Sequence, residues 1–410
     1  MKPLVKPELV APAGNLEKLK AAVSFGADAV YLGGHEFSLR AMSGNFSLPE
    51  MKAGIEIAHR AGRRVYVTVN IFAHNRDIDR LSLYLKELSE MGVDGLIISD
   101  PGVLQLAREL CPDLPVTIST QANITNYRSA EFYRLQGARR LVLARELSLE
   151  EIRRIKEAVP VELEVFIHGA MCLSYSGRCW LSQAMTGRSA NLGQCAHPCR
   201  YSYALMEEKR PGQYFPVMED QRGSYVMNSK DLCLVGLIPD LMEAGVDAFK
   251  IEGRMKSPYY VAATVKVYRE VIDSVLEGRA LDRERWYREL TRVATRPFTT
   301  GFIEGDRDEM QDVEKTDTAR QILFCGIVRD FDEKNGRVLV EQRAPFGIGH
   351  RLELLEPGKP LREITVTGLY DHDMNPITVA RHPQQLVWLD IPIPLTPGTL
   401  LGQLCLEKEM

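Results

Sequence analysis

The chain has 410 residues, of which 45% are hydrophobic and 26% are charged, and its formal net charge is -4. These proportions are typical of a soluble globular protein and argue against a generally basic nucleic-acid coat, although a local basic face that binds RNA is compatible with them. A chain of this length is expected to form two or three domains, or one large α/β barrel with an appendage, and it needs no disulfides to fold.

No targeting or membrane segment is predicted. Residues 1–14 contain no apolar run of signal-peptide length, and no stretch reaches about 20 consecutive apolar residues. We therefore expect a cytoplasmic protein with no membrane contact. Thiols stay reduced in that compartment, so a cluster of cysteines there indicates a metal or redox site rather than a disulfide framework.

Short apolar runs alternate with amphipathic segments over the first 300 residues. Most of the runs are continuously β-branched or aliphatic, as in strands that are buried on both faces. Eight strands are predicted, at residues 8–13, 28–33, 63–70, 94–100, 115–120, 139–145, 162–168 and 247–253. Ser47 with Glu50 and Ser148 with Glu151 predict capping boxes at two helix starts.

A glycine followed by a small residue recurs where helices should end and the next strand should begin, at Gly26, Gly92, Gly137 and Gly245. Such repetition at αβ turns is typical of a (β/α)8 barrel. A doubly wound open sheet is the alternative, but eight strands in unbroken alternation favour a TIM-like barrel. We expect this α/β barrel to span residues 1–295.

In such barrels the active site lies at the carboxyl ends of the strands. Arg145 and Arg254 lie there and could bind a carboxylate or phosphate, or could instead pair with Glu146 and Glu252 and only close the rim. The other polar residues at these ends could fix a base or a small acid, cap a helix or be satisfied structural groups; they are Asn70, Gln121, Asn123 and His168.

Five of the eight cysteines fall in one long connection after the seventh strand, a predicted insertion at residues 169–245. The connection between a strand and the next helix usually has roughly 2–6 residues. A much longer connection at the active-site face of a barrel usually contains functional residues. The remaining cysteines, Cys111, Cys325 and Cys405, lie alone in apolar contexts that suit packing. The clustered cysteines are Cys172, Cys179, Cys195, Cys199 and Cys233.

Three kinds of cysteine site are compatible with this spacing. Structural zinc favours paired knuckles, and only Cys195-x3-Cys199 resembles one. An iron–sulfur cluster needs four thiolates and tolerates irregular spacing. Cys172, four residues after His168, could form the Cys–His couple of a peptidase, but that leaves the other cysteines unexplained and lacks an evident third group.

Three stretches, ELVAPAGNLEKLKAAVSFGADAVYLGG, FIHGAMCLSYSGRCWLS with NLGQCAHPCR, and KIEGRMKSPYY, resemble the family called peptidase U32 or collagenase-like protease. The resemblance covers essentially the whole chain. It is strongest to the branch implicated in tRNA modification, which forms 5-hydroxyuridine at wobble position 34 in a prephenate-dependent way. Sister branches are implicated in hydroxylating a ribosomal RNA cytidine and in oxygen-independent ubiquinone hydroxylation.

The resemblance implies a [4Fe–4S] cluster, with zinc as the weaker alternative. Its implied ligands match Cys172, Cys179, Cys195 and Cys233, and Cys199 is held in reserve because it matches a ligand only in a divergent branch. The word protease is a family name here, since these residues supply no peptidase mechanism.

A change of pattern marks a second domain. Residues 296–320 are predicted to be a charged linker, and residues 321–410 contain five or six short strands with turn signals such as Asn335-Gly336, which predict a small β-barrel. It resembles the C-terminal domain of longer U32 members. The domain could bind tRNA, or it could only cover the barrel or mediate dimerisation; candidate RNA contacts are Arg329, Lys334, Arg337, Arg343 and His382.

We therefore expect an iron–sulfur enzyme that hydroxylates the wobble uridine in the tRNA anticodon loop, where bases unstack readily. A small anionic co-substrate, for which prephenate is the candidate, would bind Arg145, Lys250, Glu252 and Arg254, and Asn70, Gln121 and His168 would line the reaction space. The alternatives are a U32-type peptidase, a non-catalytic iron–sulfur or RNA-binding partner in a homo- or hetero-oligomer, and hydroxylation of another substrate such as rRNA.

Overall fold

The structure is a computed structural model that describes residues 4–38, 44–171, 179, 181–190, 194–198, 204–206, 214–216, 230–305, 321–391 and 393–405. The first part of the chain contains β1 (Glu8–Pro12), α1 (Leu16–Ser24), β2 (Ala29–Gly33), α2 (Leu48–Arg60), β3 (Arg64–Val69), α3 (Ile78–Glu90), β4 (Gly95–Ile98), α4 (Pro101–Leu110), β5 (Val116–Ile118), α5 (Tyr127–Leu135), β6 (Arg140–Val142), α6 (Leu149–Ala158) and β7 (Glu162–Ala170). It continues with α7 (Leu181–Thr186), β8 (Ala204–Met206), β9 (Tyr214–Pro216), β10 (Asp231–Cys233), α8 (Ile238–Glu243), β11 (Ala248–Ile251), α9 (Pro258–Leu276), α10 (Arg283–Val293) and β12 (Phe298–Thr299).

Eight parallel strands, β1 to β7 and β11, form a closed barrel. β11 closes it because it pairs in parallel with β1 on one side, Phe249 opposite Leu9, and with β7 on the other, Phe249 opposite Val165. An open sheet would leave two of these strands at its edges, whereas here each of the eight has a parallel neighbour on both sides, so the (β/α)8 prediction is confirmed. Each predicted strand contains the observed one, except that β7 continues to Ala170.

Local sequence signals explain why the elements begin and end where they do. Both predicted capping boxes are formed, at the starts of α2 and α6. The recurring glycines have positive φ angles, for example +76° at Gly92. In three of the four repeats an aspartate follows, and its carboxylate accepts the N–H of a residue on the neighbouring strand; these residues are Asp28, Asp94 and Asp247.

The barrel interior contains a small apolar cluster that includes Tyr31, Tyr66 and Ile97, and beside it a chain of buried charges. Arg140 bonds the carboxylate of Glu8 at 2.5 Å and that of Glu164 at 3.2 Å. Glu164 also accepts from Lys250 Nζ at 2.6 Å. Burial alone would raise the pKa of Glu164, but Lys250 and Arg140 hold it below its usual range. We call these four residues, Glu8, Arg140, Glu164 and Lys250, the interior ion chain.

The long insertion returns to the barrel as an extra strand. β10 runs antiparallel to the end of β7, with Cys233 opposite His168. β12 pairs in parallel with β10, so the barrel sheet extends into the segment predicted as a linker. Within the ranges that the structure describes, no helix has both the length and the apolar character that a membrane span requires.

The C-terminal domain is an antiparallel sheet domain. Its strands are β13 (Ile322–Asp332), β14 (Arg337–Gln342), β15 (Phe346–Gly347), β16 (Arg351–Leu355), β17 (Arg362–Thr365), β18 (Leu369–Tyr370), β19 (Val379–Ala380), β20 (Leu386–Asp390) and β21 (Leu400–Leu404). Seven of them form one sheet in the order β17-β16-β21-β13-β14-β20-β18, and β15 pairs with β19.

This domain is docked on the barrel. Ile322, Leu355 and Leu400 belong to the same apolar core as the barrel helices. The buried carboxylate of Glu353 accepts from Tyr259 on α9 and pairs with Arg292 on α10. The two domains therefore share a buried interface.

The interior ion chain predicts a strong stability effect. Glu164→Gln removes the carboxylate that pairs with the buried Lys250 and one of those that pair with Arg140, so the free energy of unfolding should fall by about 3–5 kcal/mol, as for other broken buried ion pairs. Denaturant unfolding measures this change. Glu131→Gln removes one partner of a surface pair with Arg134 and should leave the midpoint unchanged. Equal effects of the two substitutions would contradict the prediction.

Candidate active site at the mouth of the barrel

A pocket of about 530 Å³, part of it open to solvent, occupies the mouth at the carboxyl ends of the strands. Strand-end residues from around the barrel line it, together with Tyr31 and Phe166 from the interior. Six of the seven non-cysteine residues predicted for the site are among them: Asn70, Gln121, Arg145, Lys250, Glu252 and Arg254. The closed barrel therefore brings these residues, which are scattered along the sequence, into one pocket.

Arg145 follows β6 and is fixed on one side only. Its Nη1 donates to the carbonyl of Ala170 at 2.6 Å, and its guanidinium lies 3.9 Å from the centroid of the Phe166 ring. Its Nε is buried and has no hydrogen-bond partner in the part of the chain that the structure describes. Among these residues Arg145 also forms no ion pair with Glu146, the partner that the rim-closing alternative proposed for it. A ligand acceptor would satisfy Nε.

Arg254 lies in the loop after β11 and is almost fully buried. Its guanidinium donates to Ser38 Oγ at 3.0 Å and to the side-chain oxygen of Asn45, both in the connection between β2 and α2. A Cβ on Gly33 would lie 2.6 Å from Nη2 of Arg254, so a glycine is required there. The sequence analysis missed Ser38 and Asn45, although Gly33-Gly34 at a strand end was a signal of close packing.

Lys250 forms the floor of the pocket. Its Nζ lies 2.6 Å from Glu164 and 4.4 Å from the centroid of the Tyr31 ring. Burial lowers the pKa of Lys250, and the carboxylate of Glu164 partly offsets this effect. The top of the interior ion chain is therefore a cationic group at the base of the mouth.

The amide of Gln121 also lines the mouth, and that of Asn123 lies two residues further along the chain. Gln121 lies in the short 3-10 turn after β5, and neither its Oε1 nor Oδ1 of the nearby Asn123 has a hydrogen-bond partner among the described residues. The alternative that they cap the next helix is wrong, because Asn126 caps α5. A buried amide without a partner costs free energy, so a ligand that satisfies it gains affinity.

His168 does not line the pocket, contrary to the prediction that it would line the reaction space. It is buried against Tyr260 and Tyr268 of α9 and against Phe298, and its Nδ1 lies 3.2 Å from the Tyr268 hydroxyl. Burial, and then the charge of Lys256, lower the pKa of His168 to about 3. The physical reason is a register shift between β7 and β11 next to His168. Phe166 faces the mouth, and regular alternation of side chains along β7 would place His168 on the same face, but the shift interrupts that alternation.

Cys233 lies on β10 directly opposite His168 and is 5% exposed. Its Sγ is 3.8 Å from the Tyr268 hydroxyl, and burial raises the pKa of the thiol to about 11. This hydroxyl donates to the Ile167 carbonyl, so it can accept from the thiol. Cys233 is therefore a buried thiol beside the barrel, and it would have to lose its proton to bind a metal.

The structure tests the predicted cysteine ligands only in part. Cys179 and Cys195 are half-buried, whereas Cys172 and Cys199 lie outside the described residues. Within the described ranges, no three His, Cys, Asp or Glu side chains are grouped as a metal site. The thiols have the right donor chemistry for a cluster, and both the cluster and the choice between Cys199 and Cys233 stay predictions. Cys111 and Cys325 are buried as expected, but Cys405 is exposed.

The C-terminal arginines predicted to contact RNA form ion pairs within the protein. Arg343 and Arg329 both pair with Glu17 of α1, and so join this domain to the barrel. Arg337 pairs with Asp390 at 2.8 Å and lies over the ring of Tyr370. The remaining candidates, Lys334 and His382, are exposed, and contact of this domain with RNA stays a prediction.

Comparison with known proteins identifies the family. The family model described as Peptidase family U32 matches residues 14–312, and the model described as Peptidase family U32 C-terminal domain matches residues 320–401. The chain belongs to peptidase family U32.

Relatives within this family have been named for RNA hydroxylation. The chain is 41% identical over 402 residues to tRNA hydroxylation protein P1 of Bacillus subtilis, and the match covers 97% of this chain and 94% of the relative. It is 35% identical over 435 residues to tRNA hydroxylation protein P of Escherichia coli, covering 95% and 94%. The 23S rRNA 5-hydroxycytidine C2501 synthase of Escherichia coli is 37% identical over 273 residues, but this match covers 66% of this chain and 40% of the relative.

Proposed function

We propose that this protein is a cytoplasmic tRNA hydroxylase that converts the wobble uridine to 5-hydroxyuridine. The observation that carries the proposal is the mouth of the barrel, where Arg145 and Arg254 converge with the amide of Gln121, whose Oε1 has no hydrogen-bond partner among the described residues. Near full-length relatives named as tRNA hydroxylation proteins support the choice of substrate.

The polar atoms of the mouth are complementary to uracil. The imide edge of the base carries one N–H donor between two carbonyl acceptors. Gln121 supplies an acceptor and a donor side by side in its amide, and Arg145 supplies a donor in Nε. Anticodon-loop bases can be unstacked at little cost, as entry into a barrel mouth requires.

An anionic co-substrate would bind beside the base. The guanidinium groups of Arg145 and Arg254 both line the pocket, against the single carboxylate of Glu252 among the described lining residues. Arginine is suited to carboxylates because its N–H groups match both oxygens. Prephenate, which carries two carboxylates, is the candidate that the family resemblance suggests, and Lys250 at the floor would add a third cationic contact.

We further propose that Cys172, Cys179, Cys195 and Cys233 bind a [4Fe–4S] cluster, with Cys199 in reserve and zinc as the alternative metal. The support is the type of donor and the position of Cys233 beside the barrel, since the described thiols are not grouped as a metal site. When bound, such a cluster supplies redox or Lewis-acid chemistry. The residues of the mouth orient the base and the co-substrate and limit the access of water.

The proposed substrate is tested by mass spectrometry of nucleosides from a strain that lacks this gene. 5-Hydroxyuridine derivatives of tRNA should disappear and return with the wild-type gene. 5-Hydroxycytidine of rRNA, measured in the same strain, tests the rRNA alternative. Unchanged tRNA derivatives would refute the substrate, and recovery that needs a second protein would indicate a non-catalytic partner.

Substitutions in the mouth should lower the rate without unfolding the protein. Gln121→Leu and Arg145→Met each remove a substrate contact of about 1.5–3 kcal/mol, so hydroxylation should fall about 10- to 100-fold. The initial rate of tRNA hydroxylation is the measurement. The control Arg153→Met changes an exposed arginine on α6 and should keep the full rate. Full activity of both mouth variants would contradict the proposed site.

Loss of one ligand should release the cluster. Protein purified without oxygen should contain iron and acid-labile sulfide, and Cys233→Ser should lose most of both because a hydroxyl is a poor substitute for a thiolate. Cys405→Ser, at an exposed cysteine, is the matched control and should keep them. Circular dichroism checks folding. Iron that is retained in Cys233→Ser and lost in Cys199→Ser would assign the fourth ligand to Cys199, and zinc without iron would support the alternative.

A further inference from the structure

A second groove lies between the barrel and the C-terminal domain. It encloses about 980 Å³ of space, part of it open to solvent. The described residues that line it include two lysines and several aromatic side chains but no Asp or Glu; the relevant ones are Lys18, Met255, Lys256, Tyr260 and Phe324. Cationic and aromatic walls without a carboxylate suit a single-stranded nucleic acid more than a neutral or cationic partner.

Lys18 is the main charge of this groove. It lies half-buried on α1 and forms no ion pair with any described residue. Its Nζ donates to the carbonyl of Arg254 at 2.8 Å, the one hydrogen bond that its side chain makes to a described residue. The adjacent carboxylate of Glu17 is engaged by Arg329 and Arg343. An anion that enters the groove would therefore meet a cation that no carboxylate of the described residues pairs.

Lys256 adds charge on the barrel side. Its Nζ donates to Thr295 Oγ1 at 2.7 Å and lies 5.1 Å from the centroid of the Tyr260 ring. Asp231 is 3.6 Å from it and partly neutralises it. These contacts hold the ammonium group in place, so that Lys256 complements Lys18 without a large rearrangement.

The groove and the mouth adjoin the same loop after β11, since Arg254 lines the mouth and the next two residues, Met255 and Lys256, line the groove. The side chain of Arg254 lines the mouth, and its carbonyl accepts from Lys18. The opposite wall is fixed as well, because Glu353 joins the C-terminal domain to Tyr259 and Arg292. A strand that crosses from the groove to the mouth would therefore meet a preformed surface, which lowers the entropic cost of binding.

We propose that this groove binds the phosphate backbone of the RNA strand whose base enters the mouth, with Lys18 as the principal phosphate contact. The inference rests on the proposed function for the identity of the RNA. It adds a contact surface to the candidates on the C-terminal domain, two of which, Arg329 and Arg343, pair with Glu17 of the barrel.

Binding of an unmodified anticodon stem-loop RNA by the full-length protein tests the proposal. Lys18→Met keeps the alkyl chain but removes the charge, so affinity at low salt should fall about 5- to 10-fold, and the slope of log K against log salt should decrease by about 0.7, the value for one phosphate contact on a single strand. Lys18→Arg should restore most of the affinity. Lys20→Met, on the exposed face of the same helix, should change neither quantity. Wild-type affinity and slope in Lys18→Met would overturn the proposal.

Lysine acetylation of the wild-type protein gives a second measurement that needs no variant. Bound RNA should protect Lys18 from acetic anhydride at least several-fold more than Lys20, as measured by peptide mass spectrometry. Equal labelling of Lys18 with and without saturating RNA would overturn the assignment.

These outcomes are separate from those of the proposed function. If bound RNA protects Lys18 but gene deletion leaves tRNA nucleosides unchanged, the groove proposal stands and the proposed hydroxylase function is refuted. If hydroxylation is normal but RNA does not protect Lys18, the proposed function stands and the groove proposal is refuted.

Discussion

The interior ion chain is the constraint on which the rest of this barrel depends. Glu8, Arg140, Glu164 and Lys250 come from β1, β6, β7 and β11, and each charge is nearly inaccessible to water. A buried charge is tolerated only when an opposite charge lies next to it, so the registers of these four strands are coupled. β1 and β11 are also the neighbouring strands whose pairing helps to close the barrel. The ion pairs that fill the barrel interior therefore also hold these two strands in register. The last member of the interior ion chain, Lys250, lies at the floor of the mouth and places a cationic group there.

Arg254 links this interior to the two surfaces on which function is proposed. Its guanidinium is held by Ser38 and Asn45 at the mouth, whereas its carbonyl accepts from Lys18 in the groove. One loop therefore adjoins both the pocket that would receive a base and the surface that would bind the strand carrying it. The C-terminal domain contributes the far wall of that groove, and two of its arginines, Arg329 and Arg343, stabilise the contact between domains.

The insertion after β7 has a structural role beyond carrying cysteines. It returns as β10, antiparallel to the end of β7, and this pairing brings Cys233 opposite His168. Tyr268 from α9 contacts both residues and completes a buried layer behind the mouth. A ligand at Cys233 would thus lie beside the barrel wall, and β7 joins this layer to the pocket that contains Phe166.

The sequence by itself determined the barrel and most of its mouth. Apolar runs, capping boxes and the glycines that follow helices act over a few residues, so they can be recognised locally. Once the strands close into a barrel, residues at their carboxyl ends, such as Asn70, Gln121 and Arg145, are brought together by the fold itself. Tertiary structure decided what depends on distant partners. The orientation of His168 follows from a register shift against β11, and Arg329 and Arg343 meet Glu17 at separations of 312 and 326 residues. Such choices are set by packing between elements, and no local pattern encodes which partner a side chain will find.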